Sequence, residues 1–235
     1  MDARRLAALL DPFAPVKPLQ LEQISIYIDL LLRWNARVNL TAVRDPKQIA
    51  TRHFGESLFA ARHLLPCGAF PSGADTPVRV APAPGPDLSP SQPASSPGRV
   101  LDLGSGAGFP GIPINIWSPE TLVTLIESNH KKAAFLREVI RALTLTSIDV
   151  FTGRAEDYPS ATAALVTLRA VEHFTSILPT AAGLVAPRGR LALLIGDSQL
   201  PTAQTALPNL SWTSPIPIPK SQSRIILISN PEPEV

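Results

Sequence analysis

The sequence predicts an α/β fold, a three-layer sandwich around a mostly parallel sheet, with a helical subdomain at its N-terminal side. Three observations carry this. From Arg99 onward, short apolar runs alternate with helical patterns. The first of these runs, "RVLDLGS", passes directly into the glycine-rich turn "GSGAGFPG". The chain before residue 66 shows helical periodicity only. The implied boundaries are a helical subdomain over 1–65, a proline- and serine-rich flexible insert over 66–98, and the α/β core over 99–235.

Taken in order, Leu21, Ile24, Ile28 and Leu31 recur at helical spacing, with Glu22, Gln23, Asp29 and Arg33 on other faces. A second helix is expected from "RDPKQIATRHFGESLFAARHLL". Asp45 caps it, Pro46 sits where a missing N–H is harmless, Gln48 completes a capping box, and Leu64 and Leu65 end it before Pro66. The stretch from Pro66 to Gly98 is dominated by proline, serine, alanine and glycine. It offers too little apolar surface to offset the entropy of ordering it. In the core, "RVLDLGS", "TLVTLIES", "SIDVFTG", "ALVTLRA" and "GRLALLIG" read as strands. "PGIPINIWS", "HKKAAFLREVIRAL" and "HFTSILPTAAGLV" read as helices, with late strands near "WTSPIPI" and "RIILISN".

Composition narrows the class. The 235 residues are 45% hydrophobic and 17% charged with a formal net charge of +2, as suits a globular protein. One cysteine, Cys67, excludes an intrachain disulfide framework and a cysteine-rich zinc site. No run approaches the roughly 18 apolar residues of a membrane span. The N-terminal "MDARRLAALLDPFAPV" meets Asp11 and Pro12 too early for a signal peptide. The expected location is cytoplasmic.

Gly104, Gly106 and Gly108 fall between the first strand and its helix, where the turn is tight and the backbone must approach a ligand closely. "GAGFPG" formally satisfies the G-x-G-x-x-G dinucleotide fingerprint. Against a nicotinamide cofactor stand Asp102 at the strand end and Pro110 inside the fingerprint, whose nitrogen cannot donate to a phosphate. S-adenosylmethionine carries an ammonium, a sulfonium and a ribose but no phosphate, and acids near the loop suit it. Asp102 either organises the loop or meets the cationic amino-acid end. Glu127, closing the second strand, is placed to accept from the ribose hydroxyls; an acid about 20 residues past the glycines is a feature NAD proteins share. Ala155 and Glu156 in "GRAEDY" follow the third strand, placed either to border the adenine or to form a plain loop.

The stretches "LLLRWNARVNLTAVRDPKQIATRHFGESL", "VLDLGSGAGFPGIPINI", "TLIESNHKKAAFLREV", "GRAEDY" and "LRAV" occur in an order and spacing that resembles the RsmG (GidB) family. Members of that family are bacterial methyltransferases acting on N7 of a guanine in small-subunit ribosomal RNA. The resemblance spans most of residues 20 to 196 outside the insert. It implies a class I, Rossmann-like S-adenosylmethionine-dependent methyltransferase with cofactor contacts at Gly104, Phe109, Ala155, Glu156 and Arg169. Glu127 is added from its own position. Two residues depart from the pattern: Glu56 stands where aspartate is usual, and Ile195 where a lysine is common, which removes a cation from the RNA-facing surface.

Guanine N7 presents an in-plane lone pair, so the reaction needs no general base. Accordingly no catalytic residue and no metal site is assigned; His53, His63, His130 and His173 lack metal-ligand spacing. Arg33, Arg37, Arg44, Lys47 and Arg52, with Lys131, Lys132, Arg137 and Arg141, form the candidate footprint for ribosomal RNA or a ribosomal subunit. Trp34 and Phe54 are candidates for base stacking or core packing. Nothing in the sequence calls for more than a monomer. The competing readings are a methyltransferase of another RNA or of a small molecule, and a nicotinamide-dependent oxidoreductase.

Overall fold

The computed structural model describes residues 1–65, 98–171 and 173–231. The predicted insert lies outside these apart from Gly98. Strands β1 (Val100–Leu103), β2 (Val123–Ile126) and β4 (Ala163–Arg169) are buried on nearly every residue, as apolar runs covered on both faces must be. With β3 (Ile148–Phe151), β5 (Val185–Gly196), β6 (Ile216–Pro217) and β7 (Arg224–Ile228) they form one sheet in the order β3-β2-β1-β4-β5-β7-β6. The first five strands run parallel, and β7 and β6 are antiparallel at one edge. Strand order reverses between β1 and β4. A crevice at such a reversal, outside the carboxyl ends of the strands, is where open α/β sheets bind ligands.

Alternation along the strands builds the layers. Val100, Val123, Leu125 and Leu165 join one apolar cluster with Ile112 of α5 (Gly111–Trp117) and Phe135 of α6 (His130–Ala142). Leu101, Leu103, Val166 and Leu168 face the other way. They pack with Leu178 of α7 (Phe174–Gly183) and Ala203 of α8 (Leu200–Ala206). The first cluster also takes in Leu6 of α1 (Ala3–Leu10) and Ile28 of α2 (Pro18–Asn35), together with Phe54 and Leu58. The N-terminal helices therefore cover the α5–α6 side of the sheet.

Several local expectations change. The helix expected over 44–65 is three pieces: α3 (Pro46–Gln48), a π-helical stretch Ile49–Gly55, and α4 (Glu56–Leu64). Asp45 Oδ2 accepts from Gln48 N at 2.9 Å, but the Gln48 side chain does not return the bond that would close a capping box. "WTSPIPI" pairs only through Ile216–Pro217 and a Trp212–Ser229 bridge, because Pro215 and Pro217 have no N–H for a ladder. The helix α8 was not anticipated; its one buried residue is Ala203, too little for a periodic signal. Ile195 is buried, paired with Ile225 on β7, so its position belongs to the sheet rather than to a charged surface. Among the described residues no helix is long and apolar enough to cross a membrane.

Candidate functional site

The glycine loop begins where β1 stops. Gly104, Gly106 and Gly108 all adopt positive φ (63°, 56° and 84°), backbone that L side chains rarely tolerate. Asp102, wholly buried at the end of β1, braces the far side of the loop. Its Oδ2 accepts from Gly111 N at 3.1 Å and its Oδ1 from Thr167 Oγ1 at 2.8 Å. A Cβ on Gly111 would lie 2.8 Å from that Oδ2 and would overlap Leu125 Cδ2, so the close approach of α5 to β1 requires glycine. Burial raises the Asp102 carboxyl to about 6, against the opposing hydrogen bonds from Thr167, Ser105 and Gly111 and the attraction of Arg169.

Glu127 clasps the loop from β2. Its carboxylate accepts from Gly106 N at 2.8 Å through Oε2, and from Asn129 N at 2.8 Å through Oε1. Asn129 in turn caps α6, its Oδ1 accepting from Lys131 N and Lys132 N. A Cβ built on Gly106 would have only Gly104 O within 4 Å, at 3.7 Å, so this face of the loop is open space. Beyond β3, Gly153 N donates to Glu127 O at 3.3 Å, and the chain turns into a short 3₁₀ segment with Ala155 buried and Glu156 exposed.

Arg169 closes β4, one residue past the Leu103–Leu168 pair that ends the β1–β4 register. Its Nη2 donates to Glu56 Oε2 at 3.0 Å and to Arg52 O at 2.6 Å, and lies 3.3 Å from His53 Nδ1. Its Nε is buried without a partner. Burial lowers the guanidinium to about 10 and Arg224 adds to this, while Glu56 opposes it, so Arg169 is a cation at neutral pH. Glu56 also takes Arg224 Nη1 at 3.3 Å. Since a guanidinium only donates, His53 Nδ1 is an acceptor, and Nε2 carries the proton that reaches Thr41 Oγ1 at 2.8 Å. Burial first, then the cations Arg169, Arg52 and Arg224, hold the imidazole neutral with its pKa lowered to about 3.

Phe109 lies beneath this cluster rather than in open space. Its ring stacks on Tyr27 at 5.4 Å and on His53 at 4.9 Å, meets Phe54 edge-on at 5.1 Å, and has the Arg169 guanidinium 5.9 Å above its centre. Tyr27 donates its hydroxyl to Ala107 O within the loop. Phe54 is fully buried, which answers its open role in favour of packing.

The structure thus brings Gly104, Glu127, Ala155, Glu156 and Arg169 to the carboxyl ends of four adjacent parallel strands, with Phe109 packed below. The family model described as rRNA small subunit methyltransferase G (GidB) matches residues 20–67 and 88–213. The chain belongs to this family. A GidB-family relative from Xylella fastidiosa strain 9a5c, named ribosomal RNA small subunit methyltransferase G, is 35% identical over 83% of this chain and 78% of its own length. Relatives of the same name from Halorhodospira halophila (36%, over 75% of this chain and 70% of theirs) and Roseiflexus castenholzii (32%, over 89% and 82%) agree.

Sequence reasoning missed the residues that hold the GidB-family site together. Asn35 in "WN" accepts from Leu40 N and Thr41 N and donates to Thr41 O, fixing the turn that presents Thr41 to His53. The motif "WN…NLT…RH" was the available signal, but nothing local reveals that its partner is Arg169. Among the described residues no cluster of His, Cys, Asp and Glu is arranged to hold a metal.

Proposed function

We propose that the protein transfers a methyl group from S-adenosylmethionine to N7 of a specific guanine in 16S ribosomal RNA. The observation that carries this reading is the cradle itself: an open face at Gly106 whose N–H is held by the Glu127 carboxylate, at the end of β1 beside the strand that Arg169 closes. A carboxylate and an open glycine backbone suit a cofactor with a cationic end and a ribose. Gly104, Phe109 through its backbone, Glu127, Ala155, Glu156 and Arg169 hold it. Each Glu127 oxygen accepts one N–H and keeps a second lone pair for a ribose hydroxyl.

S-adenosylmethionine supplies a methyl bonded to a cationic sulfur. When bound it would give up that methyl to the N7 lone pair, the C–S electron pair staying with sulfur and the positive charge passing to the base. No proton moves, so no base is required. His53 fits that chemistry, being neutral and spending its Nδ1 lone pair on Arg169. The chain contributes orientation, an effect that supplies roughly 7–11 kcal/mol in favourable cases. Arg169 is anchored by three acceptors at the strand end, and the loop is held by Asp102 and Glu127 before ligand arrives. The protein works as a monomer in the cytoplasm, where small ribosomal subunits are, and needs no membrane.

The test is methyl transfer from labelled S-adenosylmethionine to small subunits from cells lacking this gene, with the product located by strand cleavage specific for 7-methylguanine. Label at one guanine N7 is expected. Cofactor binding without label on the RNA would overturn the substrate, and spectral change with a nicotinamide cofactor would overturn the reaction.

A further inference from the structure

A groove of about 620 Å³ lies between the end of α2 and α6, lined by Arg33, Trp34, Ala36, Arg37 and Val38 on one wall and Glu138 on the other. Its position follows from the packing of the two helices. Gln23 Nε2 donates to Leu143 O, and the Trp34 ring lies 5.6 Å from Phe135, so the helices run antiparallel, with the end of α2 against the first half of α6. The start of α6 follows Glu127 and Asn129 directly. Ring contacts continue from Phe135 to Tyr27 at 6.2 Å and from Tyr27 to Phe109 at 5.4 Å, connecting the groove wall to the glycine loop. The groove is thus joined to the glycine loop through one packed row of rings, on the side of the N-terminal helices.

Its charges are uncommitted. Among the described residues the Arg37 and Glu138 side chains form no hydrogen bond or ion pair, and Arg33 uses only its Nε, on Asp29 O. On α6, Lys131 and Arg141 are exposed on the helical stripe that holds Glu138. Arg137, part of the expected footprint, is turned away to Val150 O and Thr152 Oγ1. Two exposed guanidiniums beside the edge of a partly buried indole suit a phosphate and a stacked base. A carboxylate, which only accepts, selects the amino-bearing edge of that base.

We propose that this groove is a second nucleotide subsite. It takes an unpaired nucleotide of the substrate RNA near the target guanine, with its phosphate on Arg33 and Arg37, its base stacked on Trp34, and its amino edge on Glu138. The proposal rests on the RNA-methylation reading, and its test separates the two. Binding of a labelled single-stranded RNA pentamer and of isolated 16S RNA is measured without cofactor for the full chain and for Arg37→Glu, Trp34→Ala and Trp34→Phe, and methyl transfer is measured in parallel. Arg37→Glu is expected to weaken RNA binding about tenfold or more and to flatten its salt dependence by about one phosphate contact. It should raise KM for RNA while leaving kcat and S-adenosylmethionine binding unchanged. Trp34→Ala should weaken binding and Trp34→Phe restore it. If Trp34→Ala fails to fold, the exposed Arg37 decides alone. Wild-type binding and salt slope in Arg37→Glu, or no binding of either RNA by the unaltered protein, overturns the subsite. So does loss of binding in Arg37→Glu together with wild-type RNA binding in Trp34→Ala and equal affinity for polyglutamate, which would assign the groove to an acidic protein. Groove-dependent RNA binding with no methyl transfer would sink the enzymatic reading and leave the subsite standing.

Discussion

Replacing Asp102 by asparagine isolates the electrostatic cost of the loop. The folded carboxyl has a pKa of about 6 against the ordinary 3.8, so between those values the folded state holds a proton that the unfolded state has released. Stability contributed by this group is thus present below pH 3.8 and lost as pH rises to 6. At about 1.4 kcal/mol for each tenfold change in proton affinity, the loss amounts to about 3 kcal/mol. His53 acts in the opposite sense. Its folded pKa of about 3 lies below the ordinary 6.5, so its contribution is present above 6.5 and lost as pH falls toward 3. Between pH 4 and 6 the two slopes oppose each other and mask one another in the unaltered protein.

Asparagine keeps both hydrogen bonds. Its oxygen accepts from Gly111 N, and its amide donates to Thr167 Oγ1, a hydroxyl free to turn. Urea unfolding of Asp102→Asn and the unaltered chain, followed by tryptophan fluorescence from pH 4 to 8, gives their stability difference. The variant should gain about 3 kcal/mol relative to the unaltered chain between pH 4 and 6, and the difference should stay constant above that. It should still bind S-adenosylmethionine. A difference independent of pH would refute the buried-charge account. A difference running the other way would mean that Thr167, Gly111 and Arg169 stabilise the carboxylate by more than burial costs it.

Two further substitutions separate structural from ligand-facing roles. Gly111→Ala drives a methyl group into Asp102 and Leu125 and should cost about 1–3 kcal/mol, read as a fall in Tm of about 2–4 °C per kcal/mol. Gly106→Ala, whose Cβ meets open space, should cost only the positive φ, about 1–2 kcal/mol, yet abolish S-adenosylmethionine binding by calorimetry; retained binding would move the cofactor elsewhere. Glu56→Ala strips the buried Arg169 of its carboxylate and should cost about 3–5 kcal/mol in urea unfolding, whereas a loss under 1 kcal/mol would show that His53 and Arg52 O suffice.

The parts of this site that sequence revealed are those encoded within a few residues. An apolar run, glycines at alternate positions and an acid at each strand end are local patterns, and "VLDLGSGAGFPG" and "TLIES" carried them to the right ends of β1 and β2. What the acids hold was not local. Glu127 reaches back 21 residues to Gly106 N, and Arg169 reaches across more than 100 residues to Arg52, His53 and Glu56. The turn at Ile49–Gly55 shows the same limit. Its residues fit helical periodicity, which does not distinguish the π-helical path that carries Arg52 and His53 from an α-helix.

The buried polar groups share one kind of task. Asp102 and Glu127 hold loop N–H groups, Asn35 holds the turn at Thr41, Thr41 holds His53, and His53 with Glu56 holds Arg169. Each is an acceptor occupied by a donor, and the exposed Glu156 stands outside this chain of contacts. A site whose reaction consumes only a lone pair needs what is found here, fixed dipoles and a fixed cation around a cradle that is set before the ligand arrives. The chain of contacts from Asn35 to Arg169 also joins the helices that carry the α2–α6 groove to the strand end where transfer would occur. RNA seated in that groove would rest on the same framework that orients Arg169.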